Sequence, residues 1–134
     1  MQQALTALES GRINIAARAV GVAQASYEAA LAYSKERHAF GQLISEFQAI
    51  QMKLADMATK VQSARLLTYW AAARLDTGEG ASLELAMAKL FASEVGLETS
   101  LEAMRVHGAY GYDRIRRRAL LPGRPAHGHR GGNQ

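Results

Sequence analysis

Residues 47–75 read FQAIQMKLADMATKVQSARLLTYWAAARL. Within them Phe47, Ile50, Leu54, Met57, Val61, Ala64, Thr68, Ala71 and Leu75 follow one another at steps of three and four, the spacing that gathers side chains on one stripe of an α-helix. Lys53, Asp56, Lys60 and Arg74 fall off that stripe. No proline occurs from Leu5 to about Tyr112, so nothing in the sequence interrupts helical hydrogen bonding there. One apolar stripe needs partners, and both flanking segments offer them. Ile13, Ala16, Val20, Ala23, Tyr27 and Ala30 form a similar stripe, with Asn14, Arg18, Glu28 and Lys35 facing away. A third helix is expected from about Ser82 to His107, with Leu83, Met87, Leu90, Leu97, Leu101 and Met104 on its buried side.

The breaks between these segments are short. Gly41 follows the charged cluster Lys35-Glu36-Arg37-His38. Ser45 with Gln48 three residues later has the form of a capping box that would open the second helix. Asp76-Thr77-Gly78-Glu79-Gly80 closes it, because two glycines this close favour a turn. Long helices joined by short links imply an all-α, antiparallel up-down bundle. Alanine is frequent on all three helices, which permits close approach. Stripes this wide usually call for a fourth helix, which the chain does not obviously supply.

The 134 residues suffice for one domain with a core. With 49% hydrophobic and 21% charged residues the chain is not of disordered composition, and no apolar run is long enough to span a bilayer. It has no cysteine, which excludes disulfides and thiolate zinc sites. The first residues, Met1-Gln2-Gln3-Ala4-Leu5, lack the basic and apolar regions of a secretory signal, so a cytoplasmic location is expected. The net charge of +4 is unevenly spread: residues 1–113 hold 10 Lys and Arg against 12 Asp and Glu, whereas residues 114–134 hold six Arg and no acid. The chain therefore divides into a slightly acidic helical domain, 1–113, and a basic Pro/Gly/Arg tail, 114–134, read as disordered.

Candidate ligand-binding residues are few. Gly11 beside Glu9 and Arg12 interrupts a helix at a cost of about 1 kcal/mol relative to alanine; either a ligand approaches the backbone there or Gly11 serves helix packing and Arg12 is solvated. Arg37-His38-Ala39-Phe40-Gly41 joins a guanidinium suited to phosphate with a ring suited to stacking. A basic helix terminus that complements the macrodipole explains Arg37 as well. Gln48 can donate to a ligand or serve the capping box. His107-Gly108-Ala109-Tyr110-Gly111-Tyr112 is a ligand-facing turn or a helix stop. His38 and His107 have no partner at metal-ligand spacing, and no metal site is expected.

Taken together, Leu8-Glu9-Ser10-Gly11-Arg12, Glu36-Arg37-His38-Ala39-Phe40-Gly41, Phe47-Gln48-Ala49-Ile50-Gln51, Leu54-Ala55-Asp56-Met57-Ala58, Ala64-Arg65-Leu66-Leu67, Ala86-Met87-Ala88-Lys89-Leu90 and His107-Gly108-Ala109-Tyr110-Gly111-Tyr112 closely resemble the C-terminal helical domain of the acyl-CoA dehydrogenases. The resemblance runs through residues 4–113 in family order and spacing. It implies an FAD-dependent enzyme that removes a proton from Cα and a hydride from Cβ of an acyl-CoA thioester. An electron-transferring flavoprotein would then reoxidise the flavin. It also implies a homo-oligomer, a tetramer or dimer of dimers, with no nucleic-acid or membrane partner. By position, Glu9 and Arg12 would line the acyl-CoA site. Arg37 and Gln48 would reach the FAD of a neighbouring subunit, Arg37 at its diphosphate and Phe40 packed nearby. Arg105, Gly108 and Ala109 would contact its adenine end, although many members carry Gln at Arg105 and Gly at Ala109.

The family's fourth helix and its catalytic Glu are not spelled out after Tyr112. Synonymous codons for residues 114–134 can nevertheless be chosen so that, read from their second base, they give Glu-Tyr-Ala-Val-Glu-Arg-Tyr-Tyr-Arg-Asp-Ala-Pro-Leu-Met-Gly-Ile-Gly-Glu-Gly-Thr, with the third base of each codon the only broad freedom. That is the family's ending, with the catalytic Glu hidden in the codons of Gly131 and Gly132. A frameshift near codons 113 to 114 is the reading this supports, and gene codons incompatible with that frame would overturn it. The expectation is a dehydrogenase fragment inactive alone, with no catalytic residue of its own, whose exposed apolar groove promotes self-association. The alternatives are a non-enzymatic helical interaction module and a basic nucleic-acid binder.

Overall fold

The computed structural model describes residues 2–78 and 80–111, and for residues 2–9 only their helical backbone. The expectations placed on the Glu9 side chain, on the tail 114–134 and on Gly131 lie outside the described residues. Helix α1 spans Gln2–Glu36, α2 spans Gln48–Asp76 and α3 spans Ser82–His107. Between α1 and α2 the chain forms a small hairpin of β1, His38–Ala39, and β2, Gln42–Leu43, followed by one 3-10 turn, Ile44–Glu46. The hairpin register sets His38 opposite Leu43 and Ala39 opposite Gln42. No described helix is long and apolar enough to cross a membrane.

The path is up-down-up, as the short links require. Arg12 of α1 meets Ser82 of α3, Ser26 meets Ser100 and Tyr33 meets His107, so α1 and α3 run parallel. Helix α2 runs against both: Lys53 at its start pairs with Glu102, and Arg74 near its end pairs with Glu84. The α2 stripe read from the sequence is the one that packs, with Leu54, Met57, Val61, Ala64, Thr68 and Ala71 all buried. On α1, Ala16, Val20, Ala23 and Ala30 are buried. The core splits into two regions, one around Leu85, Val61 and Val95, the other around Leu54, Met57 and Val106.

Helix α3 departs from expectation. Its buried residues are Leu85, Ala88, Ala92, Val95, Gly96, Thr99, Ala103 and Val106. The leucines assigned inward lie outside instead, with Leu83 70% exposed, Leu90 62% and Leu97 66%; Met87 and Leu101 are exposed as well. The reason is close approach: α1 and α3 pack backbone to backbone through alanine and glycine, and a Cβ placed on Gly96 would stand 3.2 Å from the Ala19 carbonyl oxygen. Leucines on that side would hold the helices apart.

The capping box is also not formed. Helix α2 starts at Gln48 with Phe47 as its N-cap and no side-chain cap bond. Ser45 sits inside the 3-10 turn, where its carbonyl accepts a 3.0 Å bond from the Gln51 side chain. The glycine turn after α2 behaves as read, with Gly78 at φ +72° and Gly80 at φ +82°, values that L side chains rarely adopt.

Candidate functional site

The residues singled out from the sequence fall into two groups at opposite ends of the bundle. Arg12 lies on α1 and Arg37 immediately follows its last residue, 25 positions on, about 37 Å at helical rise. At the Arg12 end, the guanidinium donates a 3.0 Å bond to the Ser82 hydroxyl at the start of α3. A Cβ added to neighbouring Gly11 would meet nothing within 4 Å, so helix packing does not require glycine there.

At the other end α1 closes with the Arg37 amide bonded to the Tyr33 carbonyl at 2.9 Å, and the Arg37 carbonyl accepts from the Ile44 amide at 2.8 Å. This pins the hairpin at its base. Its tip is Phe40-Gly41, with φ of +53° and +87°; two positive values in succession are those of a type I′ turn, which favours Asn-Gly. A phenylalanine at such a φ costs roughly 1–2 kcal/mol, and Phe40 is 98% exposed, set edge-on to Phe47 with 6.4 Å between centroids. Folding gains little from this ring, so its placement points to something outside the chain.

The Arg37 guanidinium lies 5.4 Å from the centre of the Tyr110 ring, a cation–π contact that holds the charge at the surface without neutralising it. Beneath it Tyr33 stacks on His107 with centroids 4.4 Å apart. The His107 Nδ1 stands 2.7 Å from the Ala103 carbonyl, which can only accept, so Nδ1 carries the proton. Gln48 is exposed in the first turn of α2, at the positive end of that helix. Sequence reasoning singled out Arg37, Phe40 and Gln48 but missed Tyr33 and the bracing role of Tyr110. An aromatic four positions before Arg37 and another after the α3 stop were the available signals.

The α3 contribution is mixed. Arg105 is hydrogen-bonded to Glu102, which also accepts a 2.6 Å bond from Lys53. Lys53 foremost, then Arg105, holds the Glu102 carboxyl below the usual carboxylate range against the opposing effect of burial. Arg105 is thus engaged along the α2–α3 seam. Gly108 turns the chain at φ +58°, with its amide bonded to the Arg105 carbonyl at 3.2 Å, and Ala109 is exposed beside it. A guanidinium, an exposed ring and a helix N-terminus with an exposed amide side chain share one end of the bundle. Such a set suits a diphosphate bearing planar groups. Among the described residues no group of His, Cys, Asp and Glu could hold a metal ion.

Comparison with known proteins identifies the family. Residues 1–123 match the family model of the acyl-CoA dehydrogenase C-terminal domain. A probable acyl-CoA dehydrogenase of Bacillus subtilis is 51% identical over 111 residues, covering 83% of this chain and 29% of that protein. The caffeyl-CoA reductase–Etf complex subunit of Acetobacterium woodii is 45% identical over 109 residues, 81% of this chain and 29% of that one. Butyryl-CoA dehydrogenase from Megasphaera elsdenii superposes with a TM-score of 0.79 at 41% identity, covering 81% of this chain and 28% of its own. The chain therefore spans less than a third of the length of these relatives. The matched segment contains all three helices and the hairpin that carries Arg37 and Phe40, and by it the chain belongs to the acyl-CoA dehydrogenase family.

Proposed function

We propose that this chain serves as the C-terminal part of an FAD-dependent oxidoreductase acting on the Cα–Cβ bond of an acyl-CoA thioester. The observation that carries the reading is Phe40, a fully exposed ring on left-handed backbone beside the braced guanidinium of Arg37. Arg37 binds the FAD diphosphate, Gln48 donates to it and Phe40 covers an adjoining planar group. Arg105, Gly108 and Ala109 face the adenine end, with Arg105 reaching it only by loosening its bond to Glu102. The Ala109 methyl crowds that approach. Because these side chains point away from their own bundle, the flavin they meet is held by a neighbouring subunit of a tetramer. At the far end Arg12, with Glu9, lines the acyl-CoA site.

Bound FAD supplies the hydride acceptor for Cβ while a carboxylate base takes the Cα proton. The residues described here orient and bind; none is assigned the proton transfer. The flavin end is one open wall, with Phe40 in solvent, and the isolated chain does not turn over substrate. The Acetobacterium relative's name couples a reductase with Etf, which supports an electron-transferring flavoprotein as redox partner.

Titrating the 134-residue chain with FAD under amide-resolved NMR tests the reading. Shifts are expected at Arg37, Phe40 and Gln48 and not near Arg12, and Arg37→Ala should weaken them at least tenfold. Shifts that are absent, scattered or indifferent to Arg37→Ala would overturn the proposal and favour a non-enzymatic helical module.

A further inference from the structure

The turn that follows α3 holds two glycines, Gly108 and Gly111, each required for a different reason. Gly108 reverses the chain at φ +58°, on the left-handed side that favours glycine. Gly111 is buried, and a Cβ there would stand 2.9 Å from the Met104 carbonyl oxygen and 3.0 Å from the His107 Cβ, well inside the roughly 3.5–4.0 Å at which carbon atoms pack. Both neighbours belong to the last turns of α3, so neither gives way unless the helix moves. The Gly111 amide bonds to the Gly108 carbonyl at 3.0 Å. Only without a side chain at 111 does the turn lie this close on α3.

The turn carries Tyr110 with it. This side chain is 56% exposed, so its burial contributes little to folding, yet its ring faces the Arg37 guanidinium at 5.4 Å. His107, against which Gly111 rests, stacks on Tyr33, and the Tyr33 carbonyl accepts the Arg37 amide at 2.9 Å. The end of α3 therefore holds Arg37 twice, by the ring beside its side chain and by the residue that bonds its backbone. Among the described residues the guanidinium makes no hydrogen bond or ion pair. A ring contact uses none of its N–H donors, and all of them stay available to a phosphate.

We propose that Gly111 and Tyr110 are positioning residues for the cofactor: the glycine lets the turn settle on α3, the turn sets the tyrosine ring beside Arg37, and the ring holds the guanidinium ready for the FAD diphosphate. The assignment rests on the flavin reading of Arg37 given above. Arginine is among the side chains with most rotamer freedom to lose, and immobilising such a side chain on binding lowers affinity by roughly two- to tenfold. The Tyr110 contact takes much of that loss during folding, before the cofactor arrives. The attraction comes from the negative face of the ring. Phenylalanine in place of Tyr110 keeps it, and leucine, of similar bulk, does not.

Tyr110→Leu and Tyr110→Phe in the 134-residue chain test this with two readouts. One is the NMR resonance of the Arg37 Nε–H group, which a nearby aromatic ring displaces; the other is FAD affinity from an amide-resolved titration. Tyr110→Leu should abolish the displacement and weaken FAD binding roughly two- to tenfold, whereas Tyr110→Phe should keep both close to wild type. Gly111→Ala should reproduce Tyr110→Leu in both readouts. If Gly111→Ala fails to fold, the exposed Tyr110 pair still decides. Wild-type affinity in Tyr110→Leu, or a Tyr110→Phe variant that binds no better than Tyr110→Leu, would overturn the positioning role; Arg37→Ala that still weakens binding would then leave the flavin reading standing. FAD-induced shifts that are absent from wild type, or indifferent to Arg37→Ala, would overturn the flavin reading and this assignment with it. Thermal stability that falls in Tyr110→Leu while FAD affinity holds would make the ring a structural contact only, and would also overturn the proposal.

Discussion

Gly96 of α3 lies against Ala19 of α1 so closely that a methyl group at Gly96 would stand 3.2 Å from the Ala19 carbonyl oxygen. Placing alanine there gains about 1 kcal/mol of helix propensity but presses on a backbone atom that moves only if the whole helix moves. The two effects should nearly cancel for Gly96→Ala, whereas Gly96→Leu should cost about 2–3 kcal/mol. Gly21 provides the control: nothing stands within 4 Å of its Cβ position, and Gly21→Ala should stabilise by up to about 1 kcal/mol. Urea unfolding of the three variants checks the contrast.

Glu102 makes the chain acid-sensitive. Its pKa is lowered in the folded state, first by Lys53 and then by Arg105. The stabilisation is therefore complete above the ordinary carboxylate range and is lost as pH falls through the lowered folded value. Glu102→Gln should cost about 1 kcal/mol at neutral pH, and the difference from wild type should close in acid. A difference that does not narrow as the pH falls from neutral into strong acid would contradict this. Lys60 behaves oppositely: Glu98 raises its pKa, so its contribution holds below the usual lysine value and disappears only in strong alkali.

Phe40→Asn should separate stability from ligand binding. Asparagine tolerates the left-handed φ of +53°, so the variant should be more stable by about 1 kcal/mol while losing the FAD-induced shifts. Stability and binding that fall together would instead make the Phe47 contact the purpose of the ring.

Thr99 is 1% exposed, and its hydroxyl has no hydrogen-bond partner among the described residues. Replacing it with the isosteric valine removes a desolvated polar group and should stabilise by about 1 kcal/mol. Thr68, also buried, gives its hydroxyl proton to the Ala64 carbonyl at 2.7 Å, and Thr68→Val should show no such gain. Thermal unfolding of both variants side by side decides it.

Helix α2 was legible in the sequence because its polar residues mark the outer side as clearly as its apolar ones mark the inner. Helix α3 was not. Where leucine and alanine share a helix, size suggests that leucine goes inside, but close packing on α1 selects Ala88, Ala92 and Gly96. That preference lives in the partner helix and not in the local pattern. The hairpin at Phe40 escaped notice for a similar reason, since a phenylalanine at positive φ defies the turn chemistry by which such tips are read. Arg37, Phe40 and Gln48 were visible as residue types; that they gather at one end with Tyr110, about 37 Å along α1 from Arg12, needed the fold.

The parallel contact between α1 and α3 also sets an order of events. Ala19 and Gly96 are 77 positions apart in the chain, an unusually distant pairing for a helical bundle, whose contacts are mostly local and quick to form. At about 5–20 residues per second, translation delivers Gly96 roughly 4–15 s after Ala19. During that interval the alanine face of α1 has at most the emerging α2 to shelter it, so the described segment is most in need of a chaperone while α3 is still being made.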